Sequence, residues 1–291
     1  MSDPLHRVWQ GDAGKIDLPD DSVDLIITSP PYEDARAYGE LDVRLKGQDW
    51  VDWAVACYRE QLRVCRGLVA WVVAGRTRSY RWSATPALLM ADLHRAGVKL
   101  RNPPVALYHR IGIPGSGGPD WWRNDYEWII CATREGGRLP WSDNVATGHP
   151  PKCPPGGAPS HQSRDGRVNR PRLHAKGGSS RGAKTIRQYK PPRRANPGNV
   201  ISLGAVGGGS MGSTLSIRNE APFPEQLVEP FVLSYCPPGG IVYDPFCGSG
   251  TSLAVAIKHG RVGWGSDLRP DQVELSQQRI VEAQARREEA A

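Results

Sequence analysis

The stretch VYDPFCGSGTSLAVAIKHGRVGWGSD, from Val242 to Asp267, constrains the fold more than any other. An apolar run of strand length meets a glycine turn, the turn opens a helix, and a second strand ends in an acid. Gly248 and Gly250 let the backbone turn tightly and approach a ligand without a Cβ in the way. The helix beginning at Thr251 offers unpaired N–H groups at the same point. Asp267 lies 19 positions after Gly248, where an acid accepts hydrogen bonds from ribose hydroxyls in a nucleoside-binding α/β unit. The run Gly248-Ser249-Gly250-Thr251-Ser252-Leu253 lacks the third glycine of a dinucleotide turn, and the chain contains no G-x-x-x-x-G-K-[ST].

Similar alternation fills residues 1–135. SVDLIIT (Ser22–Thr28) reads as a buried strand, and DWVDWAVACYREQLRVC (Asp49–Cys65) as an amphipathic helix. GLVAWVVAG (Gly67–Gly75) reads as the next strand and ATPALLMADLHRAG (Ala84–Gly97) as a helix with a glycine stop. PPVALYHRI and NDYEWIICATR read as further strands. After residue 218 a helix over Pro224–Cys236 precedes the glycine-turn unit, and a charged helix closes the chain. Strand and helix in turn predict an α/β fold with a central, mostly parallel sheet flanked by helices.

The middle of the chain is different. Residues 136–217 are rich in glycine, proline, serine and arginine and lose hydrophobic periodicity. Between Pro151 and Val200 lie twelve basic residues: Lys152, Arg164, Arg167, Arg170, Arg172, Lys176, Arg181, Lys184, Arg187, Lys190, Arg193 and Arg194. Asp165 alone opposes them, so this segment carries +11 of a total of +7 and leaves −4 for the rest. Such a concentration is an electrostatic footprint for phosphates, or else a solvated basic linker. Three regions follow: 1–135, a basic region 136–217, and 218–291.

Six scattered cysteines, with no C-x-x-C pair and no histidine grouping at zinc spacing, predict reduced packing thiols and no metal. The N-terminal residues contain no apolar signal-like core, and no apolar run reaches bilayer-spanning length, so a cytoplasmic protein is expected.

One stretch remains. DLIITSPPY ends an apolar strand in a hydroxyl residue, two prolines and an aromatic ring. Pro-Pro after a strand is ordinary punctuation, but that leaves Ser29 and Tyr32 unexplained. TSPPY (Thr28–Tyr32) together with DPFCGSGT (Asp244–Thr251) resembles the S-adenosylmethionine-dependent DNA amino-methyltransferases. The order is that of the β group: catalytic motif, target-recognition region, cofactor motif. The resemblance covers roughly residues 8–135 and 218–280, with the basic middle matching by position.

That resemblance implies a Rossmann-like methyltransferase domain, circularly permuted in motif order, in which residues 1–135 and 218–291 are two parts of one domain. It implies S-adenosyl-L-methionine as cofactor and base flipping in duplex DNA. Residues 136–217 become the target-recognition insert. Ser29, Pro30, Pro31 and Tyr32 become catalytic: the Ser29 hydroxyl and Pro30 carbonyl accept the exocyclic N–H groups, Pro31 locks the loop, and Tyr32 stacks on the base. Asp244, Phe246, Gly248, Ser249, Gly250 and Thr251 match the cofactor loop, and Asp267 the ribose acid. Asp12 of QGD matches a residue facing the adenine, or else caps a turn. Asp244 is alternatively a strand-end residue holding the loop. NEAPFPEQL matches the segment lining the methionine end, with Asn219, Phe223 and Pro224.

Ser29 stands where cytosine-N4 enzymes of the family mostly carry serine and adenine-N6 enzymes Asp or Asn, which favours cytosine N4 over adenine N6. Methylation of RNA or of a protein glutamine is the more remote alternative. Cytosine-C5 chemistry would call for a Pro-Cys dipeptide, which the chain lacks. Duplex DNA is the expected partner, gripped by Arg164 through Arg194. A nucleoid-associated place in the cytoplasm is expected with that partner; a homodimer and a cognate restriction endonuclease are possible, and Glu33–Gln48 is read as a loop that closes over the flipped base.

Overall fold

The computed structural model describes residues 5–33, 45–110, 120, 122, 124–151, 161–162, 168–169, 192–204, 212–219 and 222–290. In chain order the elements are β1 (Arg7–Gln10), β2 (Val23–Thr28), α1 (Gly47–Val64), β3 (Cys65–Val73), a hairpin of β4 (Thr77–Arg78) and β5 (Arg81–Trp82), α2 (Thr85–Arg95), β6 (Lys99–Arg110) and β7 (Tyr126–Thr133). A second hairpin, β8 (His161–Gln162) with β9 (Val168–Asn169), falls in the basic region, followed by β10 (Val200–Leu203) and a 3₁₀ turn over Thr214–Arg218. The chain closes with α3 (Glu225–Tyr235), β11 (Ile241–Asp244), α4 (Thr251–Lys258), β12 (Val262–Asp267) and α5 (Pro270–Glu289).

Eight strands form one sheet in the order β1-β12-β11-β2-β3-β7-β6-β10. The pairings from β1 through β3 are parallel, β7 runs antiparallel to both β3 and β6, and β10 is parallel to β6. This is the mostly parallel α/β sheet expected from the alternation of strands and helices.

Both faces of its centre are buried, which is why β2 and β3 read as continuous apolar runs. Val69, Trp71 and Val73 of β3 point into a core shared with Trp50, Ala54 and Tyr58 of α1 and Leu89 and Leu93 of α2. Their neighbours Leu68, Ala70 and Val72 point the other way, against Leu227, Val228 and Phe231 of α3 and Val255 of α4. The period-2 alternation of a strand thus serves two helical layers. On the second face, α5 packs on α4 around Leu253, Ile257 and Ile280.

Two observations differ from the sequence reading. β10 arises inside the stretch where periodicity is lost, yet it extends the main sheet through the register Val200↔Leu107 to Leu203↔Arg110. Four residues, V-I-S-L, show too little alternation to stand out among glycines. β3 also starts at Cys65, directly where α1 ends, without the short break expected before Gly67.

The basic stretch is closed at its neck. His149 and Ala195 exchange two backbone hydrogen bonds, of 3.2 and 2.8 Å, and Arg194 donates to the Gly148 carbonyl at 2.5 Å. Five cysteines, Cys57, Cys65, Cys131, Cys236 and Cys247, are buried free thiols, and burial raises Cys57, Cys65, Cys131 and Cys236 to about 12, away from thiolate chemistry. Among the described residues no helix is long and apolar enough to cross a membrane.

Candidate active site

The sheet order places β2 beside β11. Both are parallel, so their C-terminal ends open on the same edge, the usual position of ligands in such sheets. Motifs more than 200 positions apart in the sequence are therefore next to one another.

The join is a hydrogen bond. Thr28, the last residue of β2, donates through Oγ1 to Asp244 Oδ1 at 2.5 Å. Ser252 of α4 donates to the Ile27 carbonyl at 3.1 Å, a second tie between the two units. Thr28 and Asp244 are almost completely buried, and burial lifts the Asp244 carboxyl to about 6 against its hydrogen bonds. Asp244 Oδ1 also accepts the Phe246 N–H at 3.1 Å. Asp244 holds the loop from below, as the alternative of a strand-end loop holder describes.

The glycine loop itself is built from backbone. Gly248 and Gly250 both have positive φ, at 49° and 76°, where a side chain is strained. A Cβ on Gly248 would lie 2.6 Å from Asn219 Nδ2, so the loop and the Asn219 segment approach closely. Gly248 N–H donates to Asp267 Oδ2 and Arg269 N–H to Asp267 Oδ1, both at 3.0 Å. Asp267, raised in pKa chiefly by burial, thus positions the loop and keeps lone pairs on both oxygens. Ser249 Oγ is buried without a hydrogen-bond partner among the described residues. Phe246 packs edge-on against Trp71 at 5.8 Å and tilted against Trp53 at 5.9 Å. Phe223 borders the α3 core and Pro224 caps α3, while Thr251 is the buried first residue of α4.

Asp12 follows β1, and the Gly11 N–H donates to the Asp267 carbonyl at 3.0 Å, so the two acids sit at neighbouring strand ends. Asp12 Oδ1 accepts the Gly14 N–H at 2.8 Å, an Asx turn. A cavity of about 440 Å³ opens here, lined among others by Gln10, Gly11, Asp12, Tyr243 and Ser266.

The Ser29–Tyr32 loop depends on other elements. Trp50 of α1 donates its indole N–H to the Pro31 carbonyl at 3.0 Å. The Pro30 carbonyl meets no donor among the described residues, so its lone pairs are available. Ser29 Oγ lies 3.3 Å from the Val72 carbonyl and 3.4 Å from Tyr32 Oη, and its single proton points to one of them. Its own lone pairs are then free to accept. Tyr32 Oη donates to Glu127 Oε2 on β7 at 2.8 Å, and Arg110 of β6 pairs with Glu127 at 3.3 Å. Glu33 closes the loop: its two oxygens accept from Gly47 N–H at 2.7 Å and Thr85 Oγ1 at 3.2 Å.

Trp50, Glu127 and Arg110 carry no sequence signal that ties them to this loop. Of the Glu33–Gln48 stretch read as a closing loop, residues 34–44 lie outside the described residues. So do Arg164, Arg167, Arg170, Arg172, Lys176, Arg181, Lys184, Arg187 and Lys190. Arg193 and Arg194 are described, and the Arg194 guanidinium is engaged with Gly148.

Residues 23–278 match the DNA methylase family that groups N6 and N4 methyltransferases. The orphan methyltransferase M.BamHII of Bacillus amyloliquefaciens is 24% identical over 274 residues, covering 91% of each chain. The DNA adenine methyltransferase YhdJ of Escherichia coli K12 is 24% identical over 270 residues, 90% of this chain and 78% of that one. Among solved structures, the cytosine-N4-specific PvuII DNA methyltransferase superposes with a TM-score of 0.62 at 17% identity, covering 96% of this chain and 91% of that one. A Thermus thermophilus protein described as a DNA modification methylase, in complex with S-adenosyl-L-methionine, gives 0.57 at 22% identity over 96% and 94%.

Proposed function

Because this chain belongs to the N6 and N4 family of DNA methylases, we propose that it transfers a methyl group from S-adenosyl-L-methionine to the exocyclic N4 amine of cytosine in duplex DNA. The observation that carries the reading is the Thr28–Asp244 hydrogen bond, which sets an amine-accepting loop beside a nucleoside-type loop.

The residues around the glycine loop suit the cofactor. Asp267 offers lone pairs to ribose hydroxyls, the N-terminus of α4 offers a positive dipole end, and buried Ser249 Oγ awaits a partner. The cavity beside Asp12 has the volume of an adenosine-sized site. Bound there, the cofactor would supply an electrophilic sulfonium methyl.

An exocyclic amine is a poor nucleophile because its lone pair is conjugated into the ring. Acceptors on both N–H bonds draw the nitrogen toward tetrahedral geometry and free that pair. Ser29 Oγ and the Pro30 carbonyl are assigned this role, and Tyr32 the stacking face for a flipped base. In-line positioning accounts for much of the rate, with no covalent enzyme intermediate. The +11 segment is assigned the grip on phosphates and base edges.

Mass spectrometry of nucleosides from DNA treated with the protein and isotope-labelled cofactor tests this, with Ser29→Ala alongside. Labelled N4-methylcytosine, lost in the variant, is the expected result. Labelled N6-methyladenine would replace the base assignment with the activity carried by the YhdJ relative and leave the mechanism in place.

A further inference from the structure

Methyl transfer leaves a proton to dispose of. As the carbon–sulfur bond breaks and the carbon–nitrogen bond forms, the sulfonium charge passes to the amine nitrogen. That nitrogen must then lose one proton to become the neutral methylated amine.

From the chain of hydroxyls on this loop we infer that Glu127 is the terminus of a proton relay, Ser29 to Tyr32 to Glu127, that drains the methylated amine. The inference rests on the amino-methyltransferase reading.

Ser29 Oγ has one proton to give, to the Val72 carbonyl at 3.3 Å or to Tyr32 Oη at 3.4 Å, and the relay uses the second; Tyr32 Oη donates to Glu127 Oε2 at 2.8 Å. The amine proton passes to Ser29 Oγ as the serine proton moves to Tyr32 Oη and the tyrosine proton to Glu127. The products are a neutral methylated base, a neutral thioether and a protonated carboxyl, so charge and atoms balance. Glu127 touches neither base nor cofactor and is a positioning residue that works through Tyr32.

Its surroundings suit a proton acceptor. Glu127 faces Tyr108 and Arg110 from β6 and Tyr32 from the catalytic loop. The His109–Asp125 pair lies one step further along β6 and the β7 approach, and β3 contributes apolar Val72 and Val73 at this level. Burial raises the carboxyl, while Arg110 and the Tyr32 hydrogen bond draw it back. That brings its basicity nearer to neutral pH, where a general base works best. The side chain keeps 14% of its surface exposed, which gives the proton a way out to solvent between turnovers.

Glu127→Gln keeps an acceptor for Tyr32 but cannot take the proton. The test follows single-turnover methyl transfer against pH in wild type, Glu127→Gln and Glu127→Asp, with cofactor affinity and melting temperature as controls. Wild type should rise with pH through the Glu127 titration, because only the carboxylate accepts. Glu127→Gln should lose about 10²-fold and the pH limb with it, and Glu127→Asp should restore the limb. A single turnover should also leave a protonated-carboxyl infrared band that Glu127→Gln lacks. A wild-type profile without that limb, or full rate in Glu127→Gln, overturns the relay, and the wild-type profile decides even if Glu127→Gln fails to fold. Absence of labelled methyl groups in any wild-type product DNA would instead strike at the function itself.

Discussion

The loops after β2 and β11 occupy the same edge of one sheet, yet they are held by different means. The loop after β11 is tied down by backbone and by acids of its own unit: two left-handed glycines, the Asp244 bond to Phe246, and the Asp267 bonds to Gly248 and Arg269. The loop after β2 borrows its supports from α1, β3 and β7, through Trp50, Val72 and Glu127. A binding turn that recurs in many proteins can be carried by a short piece of chain. The loop proposed to act on the base amine is supported here by elements spread along the chain.

Substitutions can break or sharpen that contrast. The largest effect is expected for Ser29→Ala, which in the proposed mechanism removes an acceptor from the reacting amine: methyl transfer should fall by about 10²–10³-fold while calorimetric cofactor affinity stays unchanged. Asp267→Ala strikes the other loop alone. Losing hydrogen bonds to a charged group should weaken cofactor binding by about 10–100-fold, with no direct effect on Tyr32. Gly250→Ala places a Cβ 3.1 Å from Ser276 Oγ at φ 76°, so melting should show a loss of about 1–2 kcal/mol. Trp50→Phe keeps an aromatic side chain but removes the indole N–H to Pro31 together with part of the buried ring volume. It should lower kcat about 5-fold, as one hydrogen bond warrants, and no change in kcat would mean that the catalytic loop is as self-contained as its neighbour.

A further test concerns the bond that joins them. Burial raises the folded Asp244 carboxyl from 3.8 to about 6, so the stability it contributes is complete below the unfolded value and lost as pH rises through 6. Asp244→Asn does not ionise. Its melting temperature should therefore gain on wild type between roughly pH 4 and pH 8, by an amount equivalent to at most about 3 kcal/mol. A constant difference across that range would place the titration elsewhere.

The same contrast explains what could be read from the sequence. Gly248 and Asp267 are 19 positions apart, so the strand, the turn, the helix and the acid fall in one short window. Ser29 to Tyr32 were also visible as a group, because Pro-Pro between a hydroxyl and a ring is unusual. Their supports were not. Tyr32 and Glu127 are 95 positions apart, and a glutamate inside an apolar strand gives no hint of which loop it will meet. Trp50 sits on the buried face of α1 and reads simply as core. β10 was hidden by its length, and its place at the sheet edge depends on β6, about a hundred residues earlier.

The His149–Ala195 clasp marks where the basic segment can be exchanged. At the ends of residues 150 to 194, His149 and Ala195 exchange two backbone hydrogen bonds, whose formation requires no particular side chain. Because the entropy of closing such a loop grows only with the logarithm of its length, insertions or deletions beyond the clasp would cost the sheet little. The neck is therefore a natural graft point. If the basic segment grips DNA as proposed, exchanging the enclosed residues for those of another chain would alter what is recognised while leaving the edge of the sheet, and the chemistry on it, in the hands of the host.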